Sequence, residues 1–180
     1  MELFKCEKEE LEVKMLFTVV LAIAGCILLF AMIWEATVTM PLAALAKNFP
    51  EDVQERLRPR IENLPLNAKR VLGMVGLVLL MFAWLGLFIV GGIDGKTRGF
   101  TYWDYAIRFL IIGMVVKAFD IIGLDYFLLT KTKFFQHYFP ETEGCKGWQD
   151  FGYNRKQQLR QCIIIPICCL ISAYIFAYVI

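Results

Sequence analysis

Four long apolar runs, separated by polar and charged segments, organise this chain. The first opens with "MLFTVVLAIAGCILLFAMIW" and places a span at about residues 15–38, but apolar character continues past Glu35, Thr37 and Thr39 to Ala46. A helix over 15–46 would be about 48 Å long at 1.5 Å per residue, against a hydrocarbon core of about 30 Å. It must tilt, bend near Pro41 or leave the membrane. The second run, "VLGMVGLVLLMFAWLGLFIV", has no charge and predicts a span at about 71–92, with Gly73, Gly76 and Gly86 allowing close helix approach. The tract "GGIDGKTRG" after it predicts a tight turn.

The third run, at about 102–130, begins with the interfacial aromatics Tyr102, Trp103 and Tyr105. The fourth, at about 161–180, contains Pro166, which should bend its helix. Between the runs lie two larger loops, 47–70 and 131–160. In the first, Pro50 followed by Glu51 and Asp52 marks a short helix that Pro59 should end early. The pattern predicts an all-α integral membrane protein: one domain over residues 1–180, a bundle of four transmembrane helices with amphipathic segments in the two larger loops.

Composition agrees, since 58% of residues are hydrophobic where a soluble domain has roughly 45–50%. The net charge of +2 is too small to call for a nucleic-acid partner. Its distribution is more informative. Lys47, Arg56, Arg58, Arg60, Lys69 and Arg70 fall in the first large loop, and Lys131, Lys133, Lys146, Arg155, Lys156 and Arg160 in the second. Only Lys5, Lys8 and Lys14 precede the first span, and only Lys96 and Arg98 lie in the glycine-rich turn. The positive-inside rule then puts both large loops in the cytoplasm and both termini outside, in a multi-pass protein of the cell membrane. Glu2, Glu7, Glu9, Glu10 and Glu12 dilute the N-terminal lysines, and the following apolar run is too long for a signal peptide. The six cysteines show no CxxC spacing, and Cys26, Cys162, Cys168 and Cys169 read as small buried apolar residues.

Charge inside the third run is the main chemical feature. Lys117 and Asp120 are neighbours at i, i+3, and Lys131 returns to the stripe of Asp120. Asp125 lies about 80° round from Lys117 on an α-helix, on the same broad face. Each such group costs roughly 2.5–3.5 kcal/mol at mid-membrane, so they must pair or meet water. A Lys117–Asp120 pair leaves Asp125 over. The candidate catalytic set is Asp125, Asp120, Lys117 and Glu35, the last near the same cytoplasmic end. Asp104 and Arg108, at i, i+4, predict a salt bridge at the outer interface.

His137, the single histidine, with Glu141 and Glu143 forms a candidate substrate-binding group in the second loop, and an oxygen-rich metal site there would need the nearby aspartates as well. The spacing matches no specific metal motif, so metal and cofactor stay unassigned. Phe134, Phe135, Tyr138, Phe139, Trp148, Phe151 and Tyr153 interleave with cations, which predicts a segment lying on the membrane surface in contact with lipid headgroups. The D-x2-D-G array of lipid-alcohol phosphotransferases is absent, "DIIGLD" having the wrong spacing, and so is the G-x-S-x-G of hydrolases. Three functional readings follow. The first is a membrane-embedded enzyme or lipid-binding protein with a polar site at the cytoplasmic face. The others are an oligomeric transporter or channel unit, with the charges as its pathway, and an accessory membrane subunit in which Lys117–Asp120 is only structural. Membrane lipids, a second copy or another membrane subunit are the expected partners.

Overall fold

The computed structural model describes residues 2–39, 45–63, 65 and 67–180, with side chains from residue 12 onward. It is all-helical, with no strand among the described residues. In order come α1 (Glu2–Thr39), α2 (Glu51–Glu62), α3 (Ala68–Thr97) and α4 (Tyr102–Phe119), which runs on as a π-helical segment over Asp120–Lys131. Short α5 (Phe134–Tyr138), two single 3-10 turns and α6 (Arg155–Tyr178) complete the chain. Pro41, where the first run is expected to bend, lies outside the described residues, as does the side chain of Cys6.

Among the described residues three stretches are long and apolar enough to cross a membrane by length and composition, Glu12–Thr39, Ala68–Thr97 and Arg155–Tyr178. Their apolar side chains mostly face outward. Leu72, Leu79, Phe82, Ile163 and Ile171 are all exposed, forming an oily surface far larger than a soluble monomer carries. Hydroxyls within α1 are satisfied locally: Thr18, Thr37 and Thr39 each donate to the carbonyl four residues back, at 2.7–2.8 Å.

The fourth apolar stretch is different because it turns its charges inward. Helix α4 packs on α1, α3 and α6 and lies between them. Tyr105, Ala106, Arg108, Phe109, Ile112, Gly113, Val116 and Lys117 are all buried. Thr101 and Asp104 cap its start reciprocally, the Asp104 carboxylate accepting from Thr101 N at 2.9 Å and the Thr101 hydroxyl from Asp104 N at 3.4 Å. This cap occupies the carboxylate that the i, i+4 spacing assigned to Arg108.

The glycine-rich tract corrects a second expectation. Instead of turning at residues 91–99, α3 continues to Thr97, and only Arg98–Thr101 turn, with Gly99 at φ +66°. The glycines stay helical because neighbouring rings occupy the space of a side chain. A Cβ on Gly92 would fall 2.1 Å from the Phe176 ring, and one on Gly95 would fall 2.4 Å from Tyr105. The tract is a contact strip for α4 and α6.

At the other end of the bundle the two large loops fold together into a cap. Val53 and Leu57 of α2 are fully buried against Phe49, Phe135, Phe139 and Trp148, each worth roughly 1.5–3 kcal/mol. The Trp148 indole stacks on Phe135 at 5.4 Å, and its N–H donates to the Thr142 hydroxyl at 3.1 Å. Thus, of the rings expected at headgroup depth, Phe135, Phe139 and Trp148 are interior, Phe134, Tyr138 and Tyr153 are half-buried and Phe151 is exposed. Helix α2 also passes Pro59 and ends at Glu62. Proline costs one donor, and on an exposed helix face the stranded carbonyl can meet solvent. The Pro59 carbonyl itself accepts from the Asn63 amide side chain at 2.8 Å.

Candidate functional site at the junction of bundle and cap

The π winding reshapes the charged constellation. Its hydrogen bonds reach five residues along the chain rather than four, so Asp120 and Asp125 fall one turn apart on one side. Both face the start of α6, where Asn154, Gln158 and Gln161 follow one another at i, i+4, i+7 and so share a stripe. Lys131, expected beside Asp120, is instead exposed and lies over the Tyr126 ring at 5.1 Å.

Lys117 is buried, with 3% of its side chain exposed, and its ammonium donates to Asp120 Oδ2 at 2.7 Å. It also donates to the side-chain oxygens of Gln158 and Gln161. All three N–H bonds are therefore used, which is what a cation withdrawn from water requires. Asp125 is not left over. Asn154 donates to its Oδ2 at 2.9 Å, and Gln158 Nε2 donates to the same atom while also standing 3.4 Å from Asp120 Oδ2. Asp120 Oδ1 and Asp125 Oδ1 take none of these bonds, nor is either among the described atoms that are buried and unsatisfied. Among the described residues each carboxylate thus keeps one oxygen without a donor.

Three hollows meet around these groups. An apolar groove of about 540 Å³ runs between α1, α3, α4 and α6, lined by Leu29, Trp84, Phe88, Val116 and Ile165 and ending at Lys117, Asp120 and Gln161. A polar cavity of about 210 Å³ shares Asp120 and Gln161 with it and adds Asp125, Tyr153, Asn154 and Gln158. A cleft of about 710 Å³ on the cap shares Asn48, Phe49, Tyr153, Asn154 and Gln157 with that cavity. The Tyr153 hydroxyl donates to the Asn48 carbonyl. Burial, and after it the Asp125 and Asp120 carboxylates, hold the phenol far above its ordinary pKa, so it stays a neutral donor.

The other predicted residues lie apart. Glu35 is half-buried over Gly76 of α3, where a Cβ would sit 3.4 Å from its Oε1, and it lines none of these hollows. His137 is exposed, edge-on to Tyr138 at 5.2 Å. Glu141 pairs with Arg60 at 2.9 Å, and Glu143 lies 3.8 Å from Lys133. Among the described residues no group of three His, Cys, Asp or Glu is placed to hold a metal ion. Of the cysteines, Cys169 is buried as expected, whereas Cys168 is exposed and lines the groove. The missed members are Asn154, Gln158 and Gln161; "NRKQQLRQ" carries their helical spacing, but amides in a charged loop give no other signal.

No protein-family model matches the chain, and comparisons with curated proteins and with solved structures return no match either.

Proposed function

We propose that the chain is a four-span integral membrane protein that binds an amphipathic ligand, the tail in the apolar groove and the head in the polar cavity, at the cytoplasmic face. On this reading α4 with the π segment is the fourth span, enclosed by three lipid-facing ones, and the cap is cytoplasmic because the cationic loops build it. One observation carries the proposal. Asp120 and Gln161 line both the groove and the cavity, so an apolar and a polar space meet at a hydrogen-bonded boundary. That is the shape an amphiphile fills.

The accessory-subunit reading keeps support from the saturation of Lys117 by Asp120, Gln158 and Gln161, which makes Lys117 a positioning residue rather than a reacting one. Native mass spectrometry of protein taken from nanodiscs of mixed lipid decides between the readings. The wild type should retain one amphiphile per chain, and Cys168→Trp, which plugs the groove from its exposed rim, should lose it with an unchanged melting temperature. Equal retention in both proteins, or none in the wild type, would overturn the ligand-binding reading.

A further inference from the structure

Resting on that reading of the site, we infer that the ligand's head is cationic: the groove and cavity select a single-chain amphiphile bearing an ammonium group over one bearing a phosphate. The argument begins with what the cavity can still offer. Among the described residues Asp120 and Asp125 each present an Oδ1 without a donor, while the cation at the boundary, Lys117, has all three donors committed. A phosphate entering here would meet two carboxylates and, among the described residues, no free cation. An ammonium would meet two free carboxylate oxygens and the side-chain oxygen of Asn154, which suit its donors.

The same bias continues outward. Glu51, Asp52 and Asp150 line the cap cleft against Lys47 and Lys146. Along the whole path five carboxylates therefore face three ammonium groups, in a chain whose formal net charge is +2. The remaining cations of this part of α6, Arg155, Lys156 and Arg160, are exposed and line none of the three hollows. Acidic lining inside a cationic cap concentrates positive ligands in the path. Two carboxylates without a third anionic ligand nearby among the described residues also suit an organic cation better than a divalent metal, which takes more oxygen ligands.

The groove supplies an optical probe, because Trp84 lines it and its indole N–H is buried without a partner. Protein in phosphatidylcholine nanodiscs would be titrated with 12-bromododecyl chains carrying an ammonium, a phosphate or a maltoside head. Bound chain is read as bromine quenching that disappears in Trp84→Phe, and empty nanodiscs correct for partitioning. The ammonium chain should bind at least tenfold more tightly than the phosphate chain. Asp125→Asn should cut that preference at least fivefold, and Asp125→Glu should keep it. Equal or tighter phosphate binding, or a preference unmoved by Asp125→Asn, overturns the cationic-head inference and leaves the groove reading standing. If no chain quenches Trp84, the groove is not a ligand site and both fall.

Discussion

Arg108 of α4 reaches across the bundle to Asp94 of α3, Nη1 to Oδ2 at 2.7 Å, rather than to Asp104 one turn away on its own helix. The guanidinium is almost wholly buried and also donates to the Gly91 carbonyl at 2.8 Å and the Thr18 hydroxyl at 3.2 Å, lying 4.2 Å from the Phe100 ring. One side chain thereby ties α4 to α1 and α3 near the end of the bundle opposite the cap. Removing one member of such a buried pair costs roughly 3–5 kcal/mol, because the other charge is stranded, whereas removing both is often close to neutral. Asp94→Leu should therefore lower the melting temperature in detergent far more than Asp104→Ala, which loses only a cap worth about 1 kcal/mol. The double variant Arg108→Met with Asp94→Leu should recover much of the loss. Additive losses would show that the two charges are not coupled.

The contact strip on α3 makes a paired prediction. Gly86 has nothing within 4 Å of its would-be Cβ, whereas Gly92 has the Phe176 ring at 2.1 Å. Overpacking of this kind costs typically about 1–3 kcal/mol, and glycine to alanine in an open helix position gains roughly 0.5–1 kcal/mol. Gly92→Ala should lower thermal stability and Gly86→Ala should raise it slightly. Were both neutral, α6 would not pack against this stretch of α3.

What could be read from sequence and what could not divide along physical lines. Apolar runs and the i, i+3 pairing of Lys117 with Asp120 are local properties, and both are present. The partner of Arg108 depends on a helix that had to continue through three glycines, and glycine's turn preference hides a packing role that only Phe176 and Tyr105 reveal. Asp125 was placed by a period of 3.6, which the π segment does not follow. The aromatic loop carried the composition of a membrane-surface segment because the same rings suit a headgroup region or a small core. Which one they fill depends on Val53 and Leu57 of α2, about 80 residues upstream of Phe135 in the chain.

Asp125 itself separates charge from hydrogen bonding. Asn154 and Gln158 both donate to it, and an asparagine carbonyl can accept both bonds where leucine can accept neither. Stranding an amide costs about 1–3 kcal/mol when it is fully buried, and less for the half-buried Asn154 and Gln158. Asp125→Asn should melt close to wild type and Asp125→Leu clearly lower. Equal loss in the two variants would mean that the negative charge, not the acceptor, holds the π segment to α6.

Sidedness is open to labelling, and the structure selects the probes. Cys145 is a poor one: it is half-buried beside the Asp52 carbonyl at 3.8 Å, and burial, with the Asp52 charge next, raises its thiol pKa although Arg56 opposes this. Only the thiolate attacks a maleimide, so a raised pKa means less thiolate at neutral pH. In detergent, Cys145 should label slowly at pH 7 and keep accelerating above the ordinary thiol range. Cysteines introduced at the exposed Lys146 of the cap and Thr97 at the end of α3 avoid this. In a background without native cysteines, sealed cells treated with an impermeant maleimide should label Thr97→Cys at once and Lys146→Cys only after lysis. Labelling of both before lysis would show that α3, α4 and α6 do not all cross the bilayer as proposed, and the reverse order would put the cationic cap outside, against the charge distribution that motivates the orientation.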